Sequence, residues 1–130
     1  MKSLIWMIDD DDELRRALRK MFQLLGYEVR DFADGRVAMR AMLAGEMPEV
    51  LFLDIQMPHV NGIQLLEFIR SRAEWDHLPV LMLTSESDEE RVEQAIRKGA
   101  DGYVFKPVSF ESLQMAIPTA IERRQAAQGE

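Results

Sequence analysis

Cysteine is absent from this chain, which excludes a disulfide framework and a thiolate zinc site. Histidine is scarce: His59 and His77 are the only two, both read as exposed loop residues, and neither has the partners a nucleophilic triad needs. Positive charge is short as well. Sixteen Lys and Arg face 23 Asp and Glu, for a net charge of −7. With a pI near 4.9, that argues against an intrinsic nucleic-acid surface, so any DNA output would belong to another chain or a missing domain. Long hydrophobic runs are also missing. No segment approaches the ~20 apolar residues of a membrane span, and Leu4–Ile8 is too short and too acidic in its flank for a signal peptide. These absences suit a cytoplasmic protein with neither membrane nor nucleic acid as a direct partner. What remains is 130 residues, 47% hydrophobic and 30% charged, which is the profile of one globular domain with a real core.

Four short apolar runs each end in a particular polar residue. Leu4–Ile8 ends in Asp9-Asp10, Val50–Leu53 in Asp54, Val80–Leu83 in Thr84-Ser85, and Tyr103–Phe105 in Lys106-Pro107. Runs apolar at every position are expected of strands covered on both faces. Tyr27–Phe32 alternates instead and reads as a fifth, edge strand. Helical stretches separate the strands. Leu14, Ala17, Leu18, Met21, Phe22 and Leu25 form one apolar stripe, opened by Asp11 and Asp12 and stopped by Gly26. A second helix spans roughly 35–45 with Val37, Ala38, Ala41 and Met42 inward. After a loop over 58–62, a third carries Ile63, Leu66 and Ile69. Ser87 and Glu90 have capping-box spacing before a fourth, with Val92, Ala95 and Ile96 inward and Gly99 after it. Ser109 opens a fifth helix through about Arg124, which Pro118 should kink or weaken. Trp6 and Trp75 read as packing residues, and the nine methionines as core filler.

Strands alternating with helices predict a parallel sheet with helices on both faces. The right-handed crossover rule favours the flavodoxin-like strand order 2-1-3-4-5. The carboxyl ends of all strands then share one edge, where ligands bind. Asp9, Asp10 and Asp54 would meet there, with Lys106 returning one positive charge. Such a cluster is costly unless neutralised. Oxygen-only ligation suits Mg²⁺, with Mn²⁺ a possible substitute. A strand-end carboxylate can also act as a nucleophile toward phosphorus, and the Thr84 hydroxyl and Lys106 ammonium can each hold a phosphoryl oxygen. The bland alternative is a solvated acidic helix start at Asp9–Asp12 plus Glu13, disfavoured because the run abuts a buried strand. The alternating Asp spacing and central Gly of an EF-hand are absent.

In that order and at those intervals, apolar-Asp9-Asp10, Leu53-Asp54-Ile55-Gln56-Met57-Pro58 with Gly62, Leu83-Thr84-Ser85 and Lys106-Pro107 resemble the receiver domains of two-component response regulators, the family of the chemotaxis protein CheY. The resemblance covers about 2–124, leaving 125–130 as a tail or the start of a linker. It implies that Asp54 accepts a phosphoryl group from a sensor histidine kinase or a phosphotransfer protein. It implies direct Mg²⁺ ligation by Asp10, Asp54 and the backbone carbonyl of Gln56, with Asp9 acting through water. Lys106 would contact a phosphoryl oxygen, and Pro107 would follow a cis peptide bond. Thr84 and Tyr103 would form the switch, altering the face built by the fourth helix, fifth strand and fifth helix. That face would bind an effector or output domain, or a second copy of the chain. Catalysis would be limited to self-phosphorylation and autodephosphorylation. Gln56 and Glu86 occupy positions that modulate dephosphorylation in this family. Val108 departs from the Phe often found after Lys-Pro, which leaves the last helix and any dimerisation through it open.

Two other functions compete. A haloacid dehalogenase-type phosphohydrolase also uses a strand-end aspartate, but carries a second aspartate two residues later, where this chain has Gln56. A degenerate receiver used only for docking would have no need of the acidic, hydroxyl and lysine positions.

Overall fold

The computed structural model describes residues 2–57, 59–85 and 87–129. The elements run β1 (Leu4–Ile8), α1 (Asp12–Leu24), β2 (Glu28–Phe32), α2 (Gly35–Leu43), β3 (Val50–Asp54), α3 (Gly62–Arg70), β4 (Val80–Ser85), α4 (Glu89–Arg97), β5 (Gly102–Lys106) and α5 (Phe110–Gln128). The five strands are parallel, in the order β2-β1-β3-β4-β5. One short 3₁₀ turn, Ala73–Trp75, which the sequence did not announce, seats Trp75 between α3 and β4.

The period of two along each strand divides the core. Ile5, Met7, Val50, Phe52, Leu81 and Leu83 face α1 and α5, where they meet Leu18, Phe22, Leu113 and Ile117. Trp6, Ile8, Leu51, Leu53, Val80 and Met82 face α2, α3 and α4. Both faces are therefore buried, which is why the central strands carry no polar residue before their ends. Trp6 tilts against Phe32 and Phe22 against Phe52, at centroid distances of 4.9 and 5.0 Å. Trp6 and Trp75 are both buried, as packing residues should be.

Several helix details depart from the pattern. Val37 is 42% exposed, and Met39 is buried on α2 in its place. Ala17 and Ile96 also face solvent. An apolar stripe gives the direction of burial, but only the neighbouring element decides how far round the helix it extends. The Ser87–Glu90 capping box does not form. Asp88 is the N-cap of α4 and makes no side-chain cap bond among the described residues, while the Ser87 hydroxyl lies 3.0 Å from that of Ser85. Pro118 does not break α5, and the helix continues past Arg124 to Gln128, through part of the expected tail. Pro118 and Gln114 face solvent, so the carbonyl left without a donor can be met by water, while Ile117 and Ala120 stay packed on the sheet. Pro58, which opens the expected loop before α3, lies outside the described residues.

Candidate functional site

Strand register brings the polar termini together. Ile8 pairs with Leu53, so Asp9 and Asp54 follow side by side. Asp54 pairs with Leu83, Thr84 with Phe105 and Ser85 with Lys106. Asp9, Asp54, Thr84, Ser85 and Lys106 line one cavity of about 390 Å³ at the carboxyl edge, together with Asp10, Gln56 and Asp88. Carboxylate oxygens of Asp9, Asp10 and Asp54 lie within 4.8 Å of one another. Asp9 is fully buried and Asp54 is 4% exposed, whereas Asp10 faces solvent. Lys106 Nζ sits 3.0 Å from Asp9 Oδ2 and 3.1 Å from Asp54 Oδ1. The Lys106–Pro107 peptide bond is cis.

The local sequence places each group. Asp11 caps α1 by accepting from Leu14 N, and Asp9 Oδ1 accepts from Asp11 N at 2.9 Å. These bonds turn the chain sharply at the end of β1. Asn61 and Gln64 form a capping box that opens α3 beside β3. The approach there is close: a Cβ on Gly62 would stand 2.2 Å from the Asp54 carbonyl oxygen. Gly62→Ala is therefore expected to cost about 1–3 kcal/mol through forced backbone displacement. Urea denaturation checks this, and an unchanged midpoint would contradict it.

The electrostatics are unrelieved. Burial first, then the charge of Asp9, pushes Asp54 up to about 6, against the opposing pull of Lys106. Burial alone would lower Lys106, but Asp9 and Asp54 outweigh it and raise the ammonium. Lys106 bridges Asp9 and Asp54, Asp10 adds a third carboxylate to the cluster, and these acidic donors are all oxygen. That combination fits a small hard cation, which would remove the excess negative charge.

Thr84 is buried, and among the described residues its hydroxyl donates only a long 3.3 Å bond to the Ser85 carbonyl. Tyr103 does not reach the cavity. The residue is 42% exposed, and its ring lies 5.2 Å from that of Phe105. Gln56 N donates to Asp54 Oδ1 at 3.3 Å, and its side-chain amide donates to Asp88 Oδ2 at 3.3 Å. His59 and His77 are exposed and line no part of this cavity. Glu86, the other position that the resemblance links to dephosphorylation, lies outside the described residues. Asp88 was missed at the sequence level because Ser87 and Glu90 offered a better-looking cap. Its only signal was being one more acid near the end of β4.

The chain is 35% identical over 124 residues to the chemotaxis protein CheY-3 of Vibrio cholerae, covering 95% of this chain and 93% of that protein. It is 34% identical to the transcriptional regulatory protein KdpE of Mycobacterium tuberculosis and to the regulatory protein AtoC of Escherichia coli. Those matches cover 96% and 91% of this chain, but it spans only 54% of KdpE and 25% of AtoC. Among solved structures, the chemotaxis response regulator CheY4 of Vibrio cholerae superposes with a TM-score of 0.83 at 28% identity, covering 92% of this chain and 99% of that one. A response regulator receiver domain protein from Clostridium thermocellum gives 0.84 at 26%, covering 96% and 98%. Among the described residues no helix is long and apolar enough to cross a membrane. Residues 5–118 match the response regulator receiver domain, and the chain belongs to that family of two-component signalling modules.

Proposed function

We propose that this domain is a phosphoacceptor switch in which Asp54 takes a phosphoryl group from the phosphohistidine of a sensor kinase or phosphotransfer protein. The observation that carries this is a buried Asp54 carboxylate, with Lys106 Nζ at 3.1 Å and the Asp9 and Asp10 carboxylates clustered beside it. An Asp54 oxygen attacks phosphorus, the phosphorus–nitrogen bond breaks, and the donor imidazole keeps the electron pair. Asp10, Asp54 and the Gln56 carbonyl would hold Mg²⁺ (or Mn²⁺), with Asp9 acting through water. The bound cation supplies charge neutralisation for the phosphoryl oxygens. Lys106 holds one of those oxygens, and the Thr84 hydroxyl turns from its long bond toward another. Water later attacks phosphorus, releasing phosphate and restoring Asp54.

Tyr103 reads out this event. Movement of Thr84 frees space for the exposed ring to turn inward, which remodels the α4–β5–α5 face for an effector, an output domain or a second copy of the chain. Going from ~1% to ~99% active would require about 5.5 kcal/mol of differential stabilisation. Longer relatives such as KdpE and AtoC support an output reached through additional chain, and the acidic balance here argues against direct DNA contact.

The test is incubation with a small phosphodonor in Mg²⁺. One phosphoryl mass increment on the peptide carrying Asp54 is expected. Labelling elsewhere, or none, would overturn the assignment, and the latter would support a docking-only role. Sustained turnover of a generic phosphate ester that survives Gln56→Ala would favour a hydrolase. Lys106→Ala is expected to keep the fold and the label but to lose the phosphodonor-induced NMR shifts at Tyr103. Normal shifts in that variant would count against Lys106 as the coupling group.

A further inference from the structure

We propose that Arg15, a cation, strengthens cation binding at the acidic cavity by fixing the backbone that carries Asp9 and Asp10; this rests on the Mg²⁺ reading above. Arg15 leaves the first turns of α1 and runs back beneath the β1–α1 connection. Its side chain is 14% exposed. Nη1 donates to the Asp9 carbonyl oxygen at 2.6 Å. Nε pairs with Asp31 of β2 at 3.2 Å, and Nη2 pairs with Asp12. Asp31 is in turn held by Arg19, which also donates to the Val29 carbonyl. The Asp9 N–H donates to the Phe32 carbonyl at 3.1 Å. The N–H and the C=O of Asp9 are thus both tied to β2, directly through Phe32 and through Arg15 by way of Asp31.

Four consecutive aspartates, Asp9–Asp12, repel one another, and an untethered loop would spread. The Arg15 fork spends its donors on one backbone carbonyl and on Asp12 and Asp31, none of them assigned as a ligand. Arg15 is therefore a positioning residue. Two effects of removing it oppose each other. Losing a nearby positive charge should tighten cation binding, whereas losing the tether should weaken it. Groups that orient metal ligands typically account for 10–100-fold in affinity, while a partly solvated charge at this range is screened. Positioning should therefore win.

Arg19 provides a matched control. It carries the same charge and pairs with the same Asp31, but does not touch Asp9. Mg²⁺ alone is titrated calorimetrically into the full chain, with thermal unfolding in chelator as the fold check. Arg15→Gln is expected to weaken binding about tenfold or more, Arg15→Lys by less, and Arg19→Gln hardly at all. Parent-like affinity in Arg15→Gln would overturn the proposal. So would equal weakening in Arg15→Gln and Arg19→Gln, which would trace the effect to Asp31. Full affinity in Arg15→Lys would remove the need for a fork and decides the matter even if Arg15→Gln does not fold. Absence of Mg²⁺ binding in the parent would instead sink the cation site itself.

Discussion

Replacing Asp54 by Asn is expected to abolish phosphodonor labelling and, in metal-free buffer near pH 7, to stabilise the fold by roughly 3 kcal/mol. The loss of labelling follows from the proposed role of Asp54, because Asn lacks the carboxylate oxygen that would attack phosphorus. The gain in stability follows from the electrostatics. Burial and the neighbouring Asp9 raise Asp54 from 3.8 to about 6 in the folded protein. Ionising it in the native state is therefore a cost. That cost is absent below the unfolded value, grows as pH rises from 3.8 toward about 6, and is complete above that. Asn never ionises, so it escapes the cost while still accepting from Lys106. The advantage of the variant should shrink toward zero near pH 4, and also when Mg²⁺ binds and stabilises only the parent. Urea denaturation of both proteins at two pH values, with and without Mg²⁺, checks this. An advantage over the parent no larger near neutrality than near pH 4 would refute the electrostatic account, and a variant that still labels would refute the assignment of Asp54.

Asp101→Ala is expected to destabilise the protein by about 3–5 kcal/mol, enough to lower Tm by roughly 10 °C or more. Asp101 is buried at the amino end of the sheet, away from the cavity. Its Oδ2 accepts from Arg70 Nη2 and Val80 N, and its Oδ1 from Arg124 Nε, each at 2.9 Å. Two mostly buried guanidinium groups from α3 and α5 thus share one fully buried carboxylate. Burial, with the charge of Arg124, already pulls Arg70 down to about 10, and Asp101 is the first force opposing it. Without Asp101 the arginines keep only carbonyl partners (Leu78, Gly99 and the Asp76 backbone) and the exposed Asp76 carboxylate at 3.6 Å from Arg124. Uncompensated buried charge, rather than a lost contact, is the cause. Converting all three residues together to apolar side chains of similar size should therefore recover much of the stability. Denaturant unfolding decides it. A loss under about 1 kcal/mol on Asp101→Ala would show that water or the carbonyls suffice.

Asp101 and its arginines were not legible in the sequence, because Arg70, Asp101 and Arg124 lie on separate elements and each alone looks like a surface charge. The same holds for Arg15, whose carbonyl partner is set by the turn at Asp9, and for Asp88, whose partner Gln56 comes from another loop. The strands, by contrast, were readable almost to the residue. Each is a short run buried on both faces, so its polar terminus stands out, and a period of two leaves little freedom in register. Helices were readable in position but less so in orientation. Ala17, Val37 and Ile96 sit at the margins of apolar stripes, where the packing partner decides burial.

By itself, the chain's order of apolar runs and their end residues determined the parallel sheet, its strand order and the gathering of Asp9, Asp10, Asp54, Thr84 and Lys106, because hydrophobic periodicity and handed crossovers are local rules that act on adjacent elements. Only the tertiary structure decided the depth at which Asp54 is buried, its distance to Lys106, the outward pose of Tyr103 and the anchoring of the acidic turn by Arg15. Those depend on long-range approach of side chains, and the energy of a charge is set by what surrounds it in space rather than by what precedes it in sequence.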